Sequence, residues 1–208
     1  KLPYGESNFE KIRTRGYHYV DKTRYIDLLE KEPESYVLML RSRRFGKTLF
    51  CSMLGCYYDR RHRDRFDELF GGTYIHGHPT PERGSYLMLT FNFSGINTET
   101  LENANKGFAK IVSGSVDVFM GFYEEYFPPA RQRQILAHSE PNDILTALFD
   151  HLRKRELGRC MYVIIDEYDH FANNLISQDK ENFKDLVGTD GYVRPFYEAL
   201  KKGTESIV

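Results

Sequence analysis

Lys47, Thr48, Asp166 and Glu167 are side chains of the types that handle a metal-bound phosphate, and they fall in two short stretches of a 208-residue chain. The first stretch is Arg41-Ser42-Arg43-Arg44-Phe45-Gly46-Lys47-Thr48. In a phosphate-binding loop, backbone N–H groups and the N-terminus of the following helix offer donors and partial positive charge to phosphate oxygens. There a lysine reaches the β/γ-phosphates and a threonine hydroxyl meets Mg²⁺, the roles that fall to Lys47 and Thr48. The second stretch, Met161-Tyr162-Val163-Ile164-Ile165-Asp166-Glu167-Tyr168-Asp169-His170, is a Walker B pattern. A carboxylate at a strand tip holds Mg²⁺ through its water shell, which makes Asp166 the metal-side residue. Glu167 can then orient and deprotonate an attacking water.

These residues need particular elements to position them. The run Tyr36-Val37-Leu38-Met39-Leu40 reads as a strand entering the loop, and Leu49, Phe50, Met53, Leu54 and Tyr57 recur at the spacing of one buried helix face after it. The apolar run before Asp166 reads as a buried parallel strand, whose carboxyl end is where ligands bind in open α/β sheets. The loop departs from the full pattern, because Arg41 stands where a glycine is usual, five residues before Gly46. Glycine tolerates backbone angles that arginine resists, so the entry must turn differently, and Arg41, Arg43 and Arg44 add charge of their own.

Asp21-Lys22-Thr23 opens a short helical pattern that ends near Pro33, leaving residues 1–20 as a lead-in. The mixed-sign run over residues 58–65 reads as a solvated helix face. His76 and His78 have the alternate spacing of a metal pair on a strand, with no third ligand evident. Residues 86–94 read as a second core strand with Thr90, Asn92 and Ser94 on one side, facing a γ-phosphate or making ordinary loop hydrogen bonds. A long helical pattern covers residues 98–127, with Leu101, Phe108, Ile111, Val112, Phe119, Phe122 and Tyr126 near one face, and Pro128-Pro129 stop it. Gly107, Gly114 and Gly121 recur in it every seven residues, which points to close backbone approach or to a weak, broken helix. Ser139-Glu140-Pro141 begins another helix, with Ile144, Leu145, Leu148, Phe149 and Leu152 inward and Gly158 as terminator. Helical patterns follow at residues 182–187 and 192–202, with Gly203 as a stop and a strand opening at about Ser206.

Length and composition fit one α/β domain: 40% of the residues are hydrophobic, with 15 Tyr, 15 Phe and no Trp. The formal charge of −1 supplies no global positive field for nucleic acid. Cys51, Cys56 and Cys160 lie within helix or strand patterns and suit reduced core thiols better than disulfides. No stretch reaches the length of an apolar membrane span, and the start lacks a signal-peptide core, so a cytoplasmic chain with no membrane partner is expected.

The chain resembles the prokaryotic AAA-ATPase-like family of P-loop proteins, whose members often carry a PD-(D/E)XK-type nuclease domain. The likeness runs through Leu2-Pro3-Tyr4-Gly5, Asn8-Phe9, Ile12-Arg13, Gly16-Tyr17, Tyr19-Val20-Asp21-Lys22-Thr23, the loop, Phe66 with Leu69-Phe70-Gly71, residues 91–94 and residues 164–169. Arg-Arg-Phe-Gly-Lys followed by Ser or Thr, paired with Asp-Glu-Tyr-Asp, is fairly specific to it, and the missing first glycine is typical of it. The resemblance implies adenine nucleotide binding on a three-layer P-loop NTPase fold with a mainly parallel sheet. Residues 1–208 would form one ATPase-like domain, with residues 1–35 as a lead-in over the base and residues 36–208 as an incomplete α/β core. ATP contacts then fall to Arg43, Arg44, Phe45, Gly46, Lys47, Thr48 and Leu49, base contacts to Phe9, Ile12, Tyr19 and Val20, and Mg²⁺ to Thr48 and Asp166. In P-loop ATPases with a glutamate after the Walker B aspartate, the next strand lies between that strand and the loop strand. Here the chain is expected to be truncated before it, so that sensor, lid and any nuclease domain with its nucleic acid lie elsewhere.

Two functional classes remain open. One is an ATPase in which Glu167 activates water while Lys47, Mg²⁺ and Arg44 stabilise developing charge. The other is a nucleotide-gated switch in which binding, and not turnover, reorganises an attached effector or partner. Nuclease chemistry within these residues is disfavoured, since Asp179-Lys180-Glu181 is only a charge run.

Overall fold

Asn8 starts the first helix by accepting the Lys11 N–H at 2.9 Å, and α1 (Phe9–Thr14) then buries Phe9 and Ile12. The computed structural model describes residues 1–33, 36–40, 42, 44–97, 99–157, 160–168 and 193–205. They fall into two units, Lys1–Met88 and Leu89–Val208.

In the first unit, α2 (Arg24–Glu30) follows the Asp21-Lys22-Thr23 turn and buries Ile26. Next comes α3 (Lys47–Tyr58), which buries Phe50, Met53, Leu54, Cys56, Tyr57 and Tyr58. The Phe9 N–H, an orphan donor of a helix start, is taken by Ser52 Oγ at 2.9 Å, so the cap of α1 is completed by α3. A 3₁₀ turn (Arg60–Arg65) leads into α4 (Phe66–Phe70) and α5 (Tyr74–Gly77). Arg13 Nε donates to the Leu69 carbonyl at 2.7 Å, which ties α1 to the end of α4.

Several expectations change here. The run over residues 58–65 is a solvated helix face only in part: the 3₁₀ turn Arg60–Arg65 has no buried residue, but Asp59 before it is 1% exposed and is held by Arg61, Nη2 to Oδ2 at 2.6 Å. A buried carboxylate must be paired, and the alternating signs supply the partner locally. His76 sits on α5 and His78 directly after it, neither on a strand, and they are engaged by Asp67 and by the Tyr74 carbonyl. The described residues hold no His, Cys, Asp and Glu group fit for a metal ion. The expected strand at residues 36–40 pairs with no strand among the described residues, and all its side chains but the half-buried Met39 are exposed, Leu38 by 66% and Leu40 by 73%. A strand exists only where a neighbouring strand takes its N–H and C=O groups, and the two strands among the described residues, Leu87–Asn92 and Met161–Asp166, pair with each other.

β1 (Leu87–Asn92) and β2 (Met161–Asp166) are the strands among the described residues, and they pair with each other. Just past β1, the Phe93 N–H donates to the Asp166 carbonyl at 3.1 Å, so the two carboxyl ends lie side by side and the pair is parallel. The chain is therefore mixed α/β with a small parallel sheet, and the expected three-layer arrangement around a larger sheet is not seen in the described residues.

In the second unit, α6 (Leu101–Phe122), α7 (Pro129–Leu136) and α8 (Pro141–Lys154) precede β2, and α9 (Val193–Glu205) follows it. Thr100 caps α6, accepting the Asn103 N–H at 3.1 Å. The helix is unbroken through its glycines. A Cβ at Gly107 would meet Ile96 at 3.0 Å, whereas Gly114 and Gly121 face open space, so only Gly107 marks a close approach. α6 ends at Phe122, short of the expected 127, because tight turns return Tyr123 and Phe127 to the core. α8 ends before Gly158, which lies outside the described residues. The Glu156 and Leu157 N–H groups bond back to the Arg153 and Leu152 carbonyls, a Schellman closure with Glu156 in the left-handed position at φ 58°. The helical pattern at residues 182–187 and the strand opening at Ser206 also lie outside the described residues.

Gly203 does not stop a helix; α9 runs through it to Glu205. A Cβ there would sit 2.3 Å from the Phe149 ring of α8, and that ring is 1% exposed. Gly203→Ala is therefore expected to destabilise the protein by about 1–3 kcal/mol, despite the better helix propensity of alanine. Chemical denaturation of both proteins measures this, and an unchanged or raised midpoint would refute the close packing.

Candidate functional site

The loop enters α3 through left-handed backbone. Arg44 has φ 66° and Gly46 φ 76°, and the first helical residues are Lys47, Thr48 and Leu49. Such residues are components of anion-binding backbone concavities, and a helix start leaves its first N–H groups without intrahelical partners. Arg44 adopts at a cost of roughly 1–2 kcal/mol an angle that glycine takes freely. The backbone of the loop thus turns at Arg44 and Gly46. Lys47, Thr48 and Leu49 are half-buried, and Phe45 is exposed. Arg41 and Arg43 lie outside the described residues.

The lead-in packs against α3 in the same unit. The Phe9 ring meets Tyr19 edge-on at 5.1 Å, and the Tyr19 hydroxyl reaches Met53 Sδ at 3.2 Å. Burial pushes the Tyr19 phenol up to about 12. Phe9 and Ile12 are wholly enclosed, so of the four proposed base contacts only Tyr19 and Val20 have accessible surface. Burial also pushes the Cys56 thiol up to about 12, which keeps it protonated and unreactive near neutral pH. All three cysteines are free thiols.

The acidic motif belongs to the second unit. Asp166 ends β2 and is 6% exposed, and its Oδ1 accepts the Glu167 N–H at 3.0 Å. Glu167 is half-buried with φ 57°. Arg44, Glu156 and Glu167 are the non-glycine residues with positive φ among those described, and two of the three stand in the two motifs. Such strained backbone clusters at functional sites. Beside Asp166, at the adjacent strand end, Asn92 Oδ1 accepts the Ser94 N–H at 2.9 Å. Thr90, Asn92 and Ser94 share the exposed side of that strand. The parallel pair thus places a buried carboxylate and a neighbouring glutamate at its carboxyl end, the end at which ligands bind in open α/β sheets.

A family model described as a predicted AAA-ATPase matches residues 3–208. The chain belongs to this AAA-ATPase-like family. No match was found among curated proteins or among solved structures. Membership of the AAA-ATPase-like family supports nucleotide binding in general terms. No helix among the described residues is long and apolar enough to cross a membrane.

One residue with no site role in the sequence reading, named only in a helix start and in the family likeness, stands at the loop. The Lys22 ammonium lies 3.6 Å from the position of a Cβ on Gly46. The placement of the Asp-Lys-Thr triplet, whose outer members are typical cap residues, was the available signal.

Proposed function

We propose that the chain binds magnesium-bound ATP through Arg43, Arg44, Phe45, Gly46, Lys47, Thr48 and Leu49 and hydrolyses it, with Glu167 as the group that activates water. The observation that carries this reading is the left-handed Gly46 feeding directly into α3, so that Lys47 and Thr48 occupy its first turn. Family membership over nearly the whole chain supports it. Tyr19 and Val20 contact the base, with Phe9 and Ile12 enclosed behind them as their support.

The Thr48 hydroxyl and the Asp166 carboxylate are hard oxygen donors of the kind Mg²⁺ selects, alongside water and phosphate. When bound, the ion neutralises charge on the β- and γ-phosphates. Lys47 holds the same phosphates by a charge-assisted hydrogen bond, and the loop N–H groups orient them. Glu167 accepts the proton of the attacking water, and Arg44 adds positive charge beside the loop. The reduced thiols suit a cytoplasmic protein. In the intact protein, turnover is coupled to an effector such as a nuclease domain outside these residues, with assembly into an oligomer as one route to completing the site.

The test is calorimetric titration of ATP with magnesium into the wild type and Lys47→Ala. Loss of a charged hydrogen bond is expected to weaken binding roughly 10–100-fold. Equal affinity of the two proteins would overturn the loop assignment.

A further inference from the structure

We infer that Lys22, remote in sequence from the loop, is a further anion-binding residue of the nucleotide site and takes the polyphosphate of the bound nucleoside triphosphate; this rests on reading the Gly46-Lys47-Thr48 loop as that site. Three observations carry it. The first is placement: the Lys22 ammonium stops 3.6 Å from where a Cβ of Gly46 would be, directly before the helix that Lys47 begins. A glycine at that point leaves the loop backbone uncovered on the side the ammonium approaches.

The second is how the segment is held. Asp21 Oδ1 accepts the Thr23 N–H at 2.8 Å and its Oδ2 accepts the Tyr74 N–H at 2.7 Å. Thr23 is fully buried, and its Oγ1 accepts the Ile75 N–H at 3.1 Å. Both neighbours of Lys22 are thus committed to the first residues of α5. The Lys22 backbone is engaged as well, its N–H reaching the Tyr19 hydroxyl and its carbonyl accepting the Tyr25 N–H. The ammonium is the group this clamp leaves for another purpose.

The third is charge. Lys22 is half-buried and makes no ion pair with any carboxylate among the described residues, although Asp21 is its immediate neighbour. It stands instead beside a loop that also carries the exposed Arg44. A half-buried ammonium with no carboxylate paired to it among the described residues is unfavourable unless an anion joins it. A polyphosphate on the loop is the anion that fits. Lys22 would act as a positioned point charge, pre-oriented by the clamp and not recruited on binding.

The test titrates ATP with magnesium into the wild type, Lys22→Ala, Lys22→Arg and Lys47→Ala of the same chain at two or more salt concentrations. Thermal midpoints are taken without nucleotide. Lys22→Ala is expected to weaken ATP binding roughly tenfold and to flatten its salt dependence, because a screened charge pair has been removed. Its nucleotide-free midpoint should match the wild type, and Lys22→Arg should regain most of the affinity. Asp21→Ala, which frees the clamp and keeps the charge, should lose part of the affinity while retaining the full salt dependence. ATP affinity and salt dependence in Lys22→Ala equal to wild type, with Lys47→Ala impaired, would overturn the role of Lys22 and leave the loop reading intact. A wild-type chain that takes up no ATP would overturn both.

Discussion

Glu167→Gln is expected to lower ATP turnover by roughly 10²–10⁴-fold, the usual contribution of a positioned general base, while ATP affinity stays almost unchanged. Glutamine is near-isosteric with glutamate and keeps the side-chain dipole, but it cannot accept a proton from water. Glu167 leaves a buried strand tip in left-handed backbone, with its N–H fixed on Asp166, so the strand end sets its backbone. An interaction needed only in the transition state reduces turnover without touching ground-state binding. Phosphate release and calorimetry on the two proteins separate the quantities. If wild type and variant bind ATP equally and neither turns it over above background, the chain is a nucleotide-gated switch. If the variant turns ATP over as fast as wild type, Glu167 is not the base.

Phe196→Ala is expected to cost the second unit about 3–5 kcal/mol, the range for removing a large buried aromatic ring. Phe196 on α9 is completely enclosed. Its ring meets Phe91 at 5.2 Å, Phe93 at 5.7 Å and Phe108 at 5.1 Å, each nearly perpendicular. These partners come from β1, the residue after it, and α6. The substitution therefore empties the point where sheet and helices of this unit meet, and edge-to-face contacts are lost with the buried area. Domain stabilities are on the order of 5–15 kcal/mol, so the loss is a large share of the whole. With no tryptophan in the chain, far-ultraviolet circular dichroism during urea unfolding is the suitable readout. The neighbouring Tyr197 is 41% exposed, and Tyr197→Ala should cost much less. A midpoint for Phe196→Ala equal to that of Tyr197→Ala would show that the cluster is not the centre of this unit.

Much of this was legible in the residues. The helix after the loop begins at Lys47, as its apolar spacing predicts, because periodicity and a left-handed glycine are local properties. α8 buries Ile144, Leu145, Leu148, Phe149 and Leu152, the five positions read from its pattern. β2 ends on Asp166 for the same reason, a short β-branched run ending in charge. What failed depended on a neighbour. Residues 36–40 have the composition of a strand, yet strand structure belongs to a pair of segments and not to one. Gly203 looks like a stop in sequence and is instead the place where α9 comes closest to Phe149. Glu156 closes α8 although a glycine stood two residues on, because the two back-bonds to Leu152 and Arg153 hold it there.

By itself, the order of residues determined the family, the two motifs and most of the helix faces, Phe122 on α6 being an exception at 50% exposed, since each rests on neighbours a few positions apart whose chemistry and spacing are written into the chain. Only the tertiary structure decided that Arg44 and Glu167 carry left-handed strain, that Phe9 and Ile12 are enclosed, and that Lys22 stands beside Gly46. Those facts arise where distant segments compete for the same space and the same hydrogen bonds, as when Asp21 and Thr23 are claimed by the start of α5 and Lys22 is left facing the loop.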